Sequence, residues 1–322
     1  MNHAKSLWFE EAGKAVFRED ELPDLRKGWC CIDTSYSAIS PGTERLVFLG
    51  DVPNDLFSQM KTAYMGGDFA FPLKYGYSLV GRIIDGSFER IGQTVHILHP
   101  HQNRCVVREE DAFPVPDDIP SKRATLASNM ETAVNAVWDS GLTIGERALV
   151  VGFGIVGSLV ARLLSFFPGV EVTITDNNPL KLSLAEKMEF DVQSPDNKSN
   201  AFDVAFHASG DPNGLQSAID SVGFEGRVVE LSWYGKKKVS LNLGGSFHSM
   251  RKKILSSQVS SIPPQFRSKW DFNKRKSLVF EFLARDVFDT HITHSYPFDD
   301  LVRVFDDLKT PPTEGLSYLV VY

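Results

Sequence analysis

Ten residues constrain this chain more than any others: Ala-Leu-Val-Val-Gly-Phe-Gly-Ile-Val-Gly at 148–157. Ala148–Val151 is a short apolar run, the pattern of a strand buried on both faces. Gly152, Gly154 and Gly157 follow, each with its own task. The first permits a tight turn, the second lets backbone approach a pyrophosphate, and the third lets the next helix pack close to the strand. Apolar helix continues through Ser158–Ser165, so free N–H groups at its start, around Ile155 and Val156, face an anion. The next apolar strand, Val170–Thr175, ends at Asp176, with Asn177 and Asn178 after it. A carboxylate there accepts hydrogen bonds from a ribose 2′-OH and repels a 2′-phosphate. Glycines at this spacing alone carry little weight. Set between a strand and a helix, with an acid at this offset, they specify a dinucleotide-binding turn.

The rest of the chain is consistent with a globular protein of more than one domain. Its 322 residues exceed what a single core usually serves. A net charge of −7 argues against a nucleic-acid-binding surface. No apolar run is long enough to span a bilayer, and Met1–Glu10 lacks the apolar stretch of a secretory signal. The three cysteines, Cys30, Cys31 and Cys105, form no C-x-x-C pair, so neither a zinc ribbon nor a disulfide framework is indicated. A reduced, cytoplasmic protein is the expectation.

Before the dinucleotide turn the pattern is β-rich. Strands are expected at Gly28–Ile39, Val80–Ile84 and Thr94–Leu98, a turn at Ser40–Gly42, and a proline-rich linker at Ala112–Pro120. Helical spacing runs over Ala124–Ser140. From Gly145 strands and helices alternate. Strands are expected at Arg147–Val151, Val170–Thr175, Asp203–Ala208, Gly226–Leu231 and Ile254–Ser257, with helices at Leu180–Met188 and Gly214–Val222. That alternation implies an α/β fold with a parallel sheet and right-handed crossovers. A helix at Ser277–Leu283, a helix near Phe298–Leu308 and a strand at Tyr318–Val321 complete the chain. The domains read as 1–121, 122–289 and a tail at 290–322.

Taken together these parts resemble the medium-chain dehydrogenase/reductase superfamily, to which the zinc alcohol dehydrogenases belong. Carrying the likeness are the N-terminal β segment, the strand at Val80, the helix at Ala124–Ser140, the glycine fingerprint, His207-Ala208-Ser209-Gly210 and Gly226-Arg227-Val228-Val229. The resemblance implies a Rossmann doubly wound parallel sheet, which holds NAD(H). It also implies a GroES-like, β-rich catalytic domain at the N-terminus, completed by the C-terminal tail, with the chemistry in the cleft between domains. Ser209 and Gly210 join the cofactor-binding set on this basis, and homodimers or homotetramers are usual. A narrower resemblance, to the bacteriochlorophyllide a dehydrogenases, rests on Ser40-Pro41-Gly42-Thr43-Glu44, Gly50-Asp51-Val52-Pro53, Lys74-Tyr75-Gly76-Tyr77, His99-Pro100-His101-Gln102 and Asn129-Met130-Glu131-Thr132-Ala133.

The family's catalytic zinc takes a Cys and a His at positions held here by Pro41 and Tyr77. Proline has no side-chain donor, and a neutral phenol is a poor zinc ligand. No zinc is therefore expected, and hydrogen-bond donors must handle the charge on the substrate oxygen. Thr43 matches the family hydroxyl that passes the substrate proton; its alternative is capping a turn. Tyr77 is a donor or acid in the cleft, or a buried aromatic. Glu44 matches an outer acid that holds an Arg or a helix start, and Ser40 is a weaker candidate. Glu131, near the third ligand position, is a general base or an ion-pair partner. His99 and His101 form a conceivable relay, and His248 a conceivable neighbour of the nicotinamide. The basic runs Lys236–Lys238, Arg251–Lys253 and Lys274–Lys276 read as solvated faces, and Cys105 as a small core residue. The function expected is hydride transfer between NAD(H) and a small-molecule alcohol or carbonyl, without zinc, nucleic acid or membrane. The alternatives are C=C reduction of the quinone or enoyl type and a non-catalytic dinucleotide-binding protein.

Overall fold

A computed structural model describes residues 3–197, 201–310 and 315–322. The chain divides into two units, Met1–Ser128 with Phe280–Tyr322, and Asn129–Val279. Both boundaries fall inside helices, Ala127–Ser140 and Phe272–Leu283.

The second unit holds a six-stranded sheet. Its spatial order is Asp191–Val192, Glu171–Thr175, Arg147–Val151, Phe202–His207, Val222–Glu230 and Lys253–Ser256, all neighbours parallel. The order reverses between Arg147–Val151 and Phe202–His207, which makes their carboxyl ends the topological switch point of a doubly wound sheet. The inner stretches of the central strands are apolar, as burial on both faces demands: Ala148, Leu149, Val150, Val204, Ala205 and Phe206 are fully buried. Helices Ile155–Leu164, Pro179–Lys187 and Pro212–Ser221 make the crossovers. Each of the last two starts with Pro at its first turn, and Asn178 and Asp211 cap them by accepting backbone N–H groups.

In the first unit the main sheet has seven strands. The long strand Trp29–Ile39 pairs antiparallel with Leu79–Asp85, with Arg104–Arg108 and with the C-terminal strand Ser317–Val321. The tail is thus a structural part of the first unit's sheet. A smaller four-stranded sheet contains the hairpin His3–Glu11 and Lys14–Glu21.

Two local expectations need correction. Ser40–Gly42 is not a free turn: Pro41 sits at the first helical position of Pro41–Phe48, where its missing N–H costs nothing. Ala112–Pro120 is not a linker. Ala112, Val115 and Ile119 are buried, and Phe113–Pro114 pairs with Thr94–Ile97.

Candidate functional site

Each fingerprint glycine has a reason visible in its surroundings. Gly152 has φ of +98°, and a Cβ there would press to 2.7 Å on the backbone of Ser209. Gly154 is the residue before helix Ile155–Leu164, with open space where a side chain would project. A Cβ on Gly157 would collide with the carbonyl of Gly152. The turn therefore lies tight against the loop after Phe202–His207 on one side and open at Gly154. Ile155 and Val156 follow in the first helical turn, where N–H groups lack intrahelical acceptors. This is a cradle that suits a pyrophosphate, and the residues present fit a dinucleotide.

Asp176 closes its strand as expected. One carboxylate oxygen accepts the N–H of Phe153 at 2.7 Å, and the other accepts the N–H of Asn178 at 2.8 Å. The carboxylate so held keeps lone pairs for a ribose. Lys181, buried beside it, has its ammonium pushed down to about 8 by burial, with the Asp176 charge pulling the other way. Asn177 is exposed. Ser209 is exposed on the switch-point loop, and Gly210, at φ +65°, donates its N–H to Ser232 Oγ at 3.0 Å.

In the first unit, Ser40, Thr43, Glu44 and Tyr77 come together around the start of helix Pro41–Phe48. The side chains of Ser40 and Thr43 lie beside the Tyr77 phenol. Burial and the nearby Glu44 charge hold that phenol above its ordinary range, against the pull of the two hydroxyls. Glu44 is fully buried. Its Oε1 accepts the Ser40 N–H at 2.9 Å and its Oε2 pairs with His101 Nε2 at 2.8 Å. Ser37 Oγ lies 2.7 Å from His101 Nδ1 and 3.0 Å from the Tyr322 hydroxyl. His101 thus bridges Glu44 and Ser37 through its two ring nitrogens, and the Ser37 hydroxyl bridges on to Tyr322.

The other candidates are placed elsewhere. Glu131 is buried among Arg275 and Lys276: Oε1 accepts from the guanidinium at 3.3 Å and Oε2 from the Lys276 ammonium. Arg275 and Lys276 are therefore not a solvated face, and neither is Lys252, whose buried Nζ donates to the Ile219 carbonyl at 2.8 Å. Lys236–Lys238 are exposed. His99 stacks on Tyr64 at 5.4 Å, and burial pushes its imidazole down to about 3. His248 is exposed on the short helix Ser246–Ser249. Cys105 is buried, and burial raises its thiol.

The family zinc positions do not suit the metal. Pro41 offers no side-chain donor, and a phenol held above its ordinary range by burial is a poor zinc ligand. Among the described residues no three His, Cys, Asp or Glu side chains cluster as a metal would need.

No family model matches the chain. Among curated proteins it is 23% identical over 278 residues to the L-idonate 5-dehydrogenase (NAD(P)(+)) of Escherichia coli strain K12, covering 71% of this chain and 77% of that one. It is 30% identical over 206 residues to the L-threonine 3-dehydrogenase of Shewanella woodyi, where it spans 60% of that enzyme's length and the match takes in 50% of this chain. The acetophenone reductase of Geotrichum candidum, solved in complex with NAD, superposes with a TM-score of 0.80 at 14% identity over 100% of this chain and 98% of that one. L-idonate 5-dehydrogenase from Escherichia coli superposes at 0.79 with 17% identity, over 99% and 98%. Fold and relatives together make this chain a nicotinamide-dependent oxidoreductase built on the medium-chain dehydrogenase/reductase fold.

Proposed function

We propose that the chain is an NAD(H)-preferring dehydrogenase that interconverts a secondary alcohol and a ketone without catalytic zinc. The observation that carries this reading is the Tyr77 phenol, set beside Ser40 and Thr43 at the position where the family holds its metal. A nicotinamide bound at the Gly152–Gly157 turn supplies or takes the hydride.

In the reducing direction the substrate carbonyl oxygen gains negative charge. A phenol that stays protonated can donate to that oxygen and then give up its proton. Ser40 and Thr43 fix the phenol and stabilise the phenolate that remains. Glu44, His101, Ser37 and Tyr322 form a buried line of donors and acceptors behind this group, so the helix start keeps its shape as charge appears. NAD(H) preference rests on Asp176, whose charge opposes a 2′-phosphate. The likeness to bacteriochlorophyllide a dehydrogenases adds hydroxyethyl groups on ring systems to the substrates worth trying. The partners proposed are a small molecule and, for assembly, a second copy or three further copies of the chain.

Fluorescence titration with NADH and NADPH, metal analysis after dialysis, and turnover on a panel of secondary alcohols and ketones test this reading. Tighter NADH binding, no stoichiometric zinc and oxidation of at least one alcohol are expected. One zinc per chain, lost only together with activity, overturns the metal-free mechanism.

A further inference from the structure

A second group of reactive side chains lies in the Asn129–Val279 unit, on the loop whose Ser209 was counted above with the cofactor-binding residues; its chemistry is distinct from hydride transfer. His207 ends strand Phe202–His207, and Glu230 ends the neighbouring parallel strand Val222–Glu230 as its register partner. The fully buried His207 points Nδ1 at both Glu230 oxygens, at 2.8 and 2.9 Å. Its Nε2 lies 2.6 Å from Ser209 Oγ. In the neutral imidazole, a carboxylate on Nδ1 places the proton there and turns the Nε2 lone pair toward the serine hydroxyl. Glu230 is itself held by the Ser232 N–H at 2.7 Å and the Tyr234 hydroxyl at 3.1 Å. Tyr234 also stacks on the imidazole at 6.3 Å.

Nucleophile, base and orienting acid are thus arranged in the order that activates a serine, with acid on Nδ1 and hydroxyl on Nε2. Two further observations bear on Ser209 itself. It is exposed, while its base is buried. Its Oγ also accepts the Asp211 N–H at 3.2 Å, at the positive end of helix Pro212–Ser221, where developing negative charge is favoured. Gly214, in the first turn of that helix, has room for no side chain: a Cβ would run into Ser209 Oγ and, at 2.9 Å, His207 Nε2. The space beside the hydroxyl is kept clear by the absence of that side chain.

We propose that Ser209, His207 and Glu230 form a nucleophilic centre that takes acyl groups from activated carboxylic esters. Ser209 Oγ bonds to the ester carbonyl carbon as His207 Nε2 takes the hydroxyl proton. The ester C–O bond then breaks, and the departing oxygen leaves with that proton. Water next gives a proton to His207 and bonds to the acyl carbon; the acid is released as Ser209 recovers the proton. Nothing is oxidised or reduced, and the sum is ester plus water to acid plus alcohol.

The test is incubation of the full chain with 4-nitrophenyl acetate, following nitrophenolate release and mapping acetyl groups by peptide mass spectrometry. The readout needs no dinucleotide, so it stands apart from the dehydrogenase reading. Acetylation is expected on Ser209 in the parent protein, and Ser209→Ala should lose the nitrophenolate burst. His207→Gln and Glu230→Gln should both acetylate about 10²-fold more slowly, the lower end of what a positioned base contributes. Should a variant fail to fold, the parent's peptide map decides alone. Acetyl groups on lysines but not on Ser209 overturn the proposal, as does Ser209 acetylation at the parent rate in folded Glu230→Gln.

Discussion

Burial and the charge of Glu44 raise the Tyr77 phenol above its ordinary range. If it donates to the substrate oxygen, Tyr77→Phe removes the donor at nearly constant volume, and Thr43→Val removes a hydroxyl that steadies it. Each variant is expected to lose about 10²–10³ in kcat, as for loss of one oxyanion-type donor. NADH affinity should be near that of the parent, since the residues proposed to hold the cofactor lie in the other unit; steady-state kinetics beside fluorescence titration reads both. His99 gives a separate signature in stability. Its imidazole titrates near 3 in the folded chain and near 6.5 when unfolded, so between those values the unfolded state binds the extra proton. Stability should therefore rise with pH from about 3 to about 6.5. His99→Gln should flatten that rise, measured as urea midpoints across the window. Residues such as these were legible as types and not as neighbours. Thr43 and Tyr77 are named by their motifs, whereas Glu44 and His101 are 57 positions apart and meet only through tertiary packing.

At the scale of elements, the dinucleotide turn was legible nearly to the residue. Arg147–Val151 is short, apolar from Ala148 onward and stopped by glycine, so little else can compete for it. The hairpin His3–Glu21 was not. Charged residues crowd its turn at Glu10, Glu11 and Lys14, and its pairing, not its composition, makes it a sheet. The His207–Glu230 contact was equally hidden, because it depends on the register of two strands. Asp176 ties the turn to its second strand. Asp176→Asn keeps one acceptor and removes the charge, so NADH binding is expected to weaken several-fold while the gap to NADPH narrows; paired titrations check it. Helix Ala127–Ser140 and helix Phe272–Leu283 share a different bond. Glu131 neutralises Arg275 and Lys276 in the interior, and Glu131→Ala leaves two buried cations unpaired. A loss of about 3–5 kcal/mol in stability is expected from chemical denaturation.

At the scale of the molecule, the two units differ in how they use the chain. Asn129–Val279 is continuous, while the first unit needs both ends. Strand Ser317–Val321 lies between Ile292–Pro297 and Trp29–Ile39, bonded to both, and the Tyr322 hydroxyl reaches Ser37 in the buried line behind Tyr77. Truncation after Leu316 should therefore unfold the first unit and abolish turnover while NADH binding to the second persists; limited proteolysis with and without NADH reads the two outcomes. The same strand also sets an order in time. During synthesis the contiguous unit has all its strands once residue 279 has left the ribosome, and domains generally fold as they emerge. The unit made first must wait, its long strand Trp29–Ile39 unpaired along one edge, until Ser317–Val321 has emerged. An exposed edge of that kind is a template for pairing with other chains. A newborn molecule of this protein is thus most vulnerable in the part that was translated earliest.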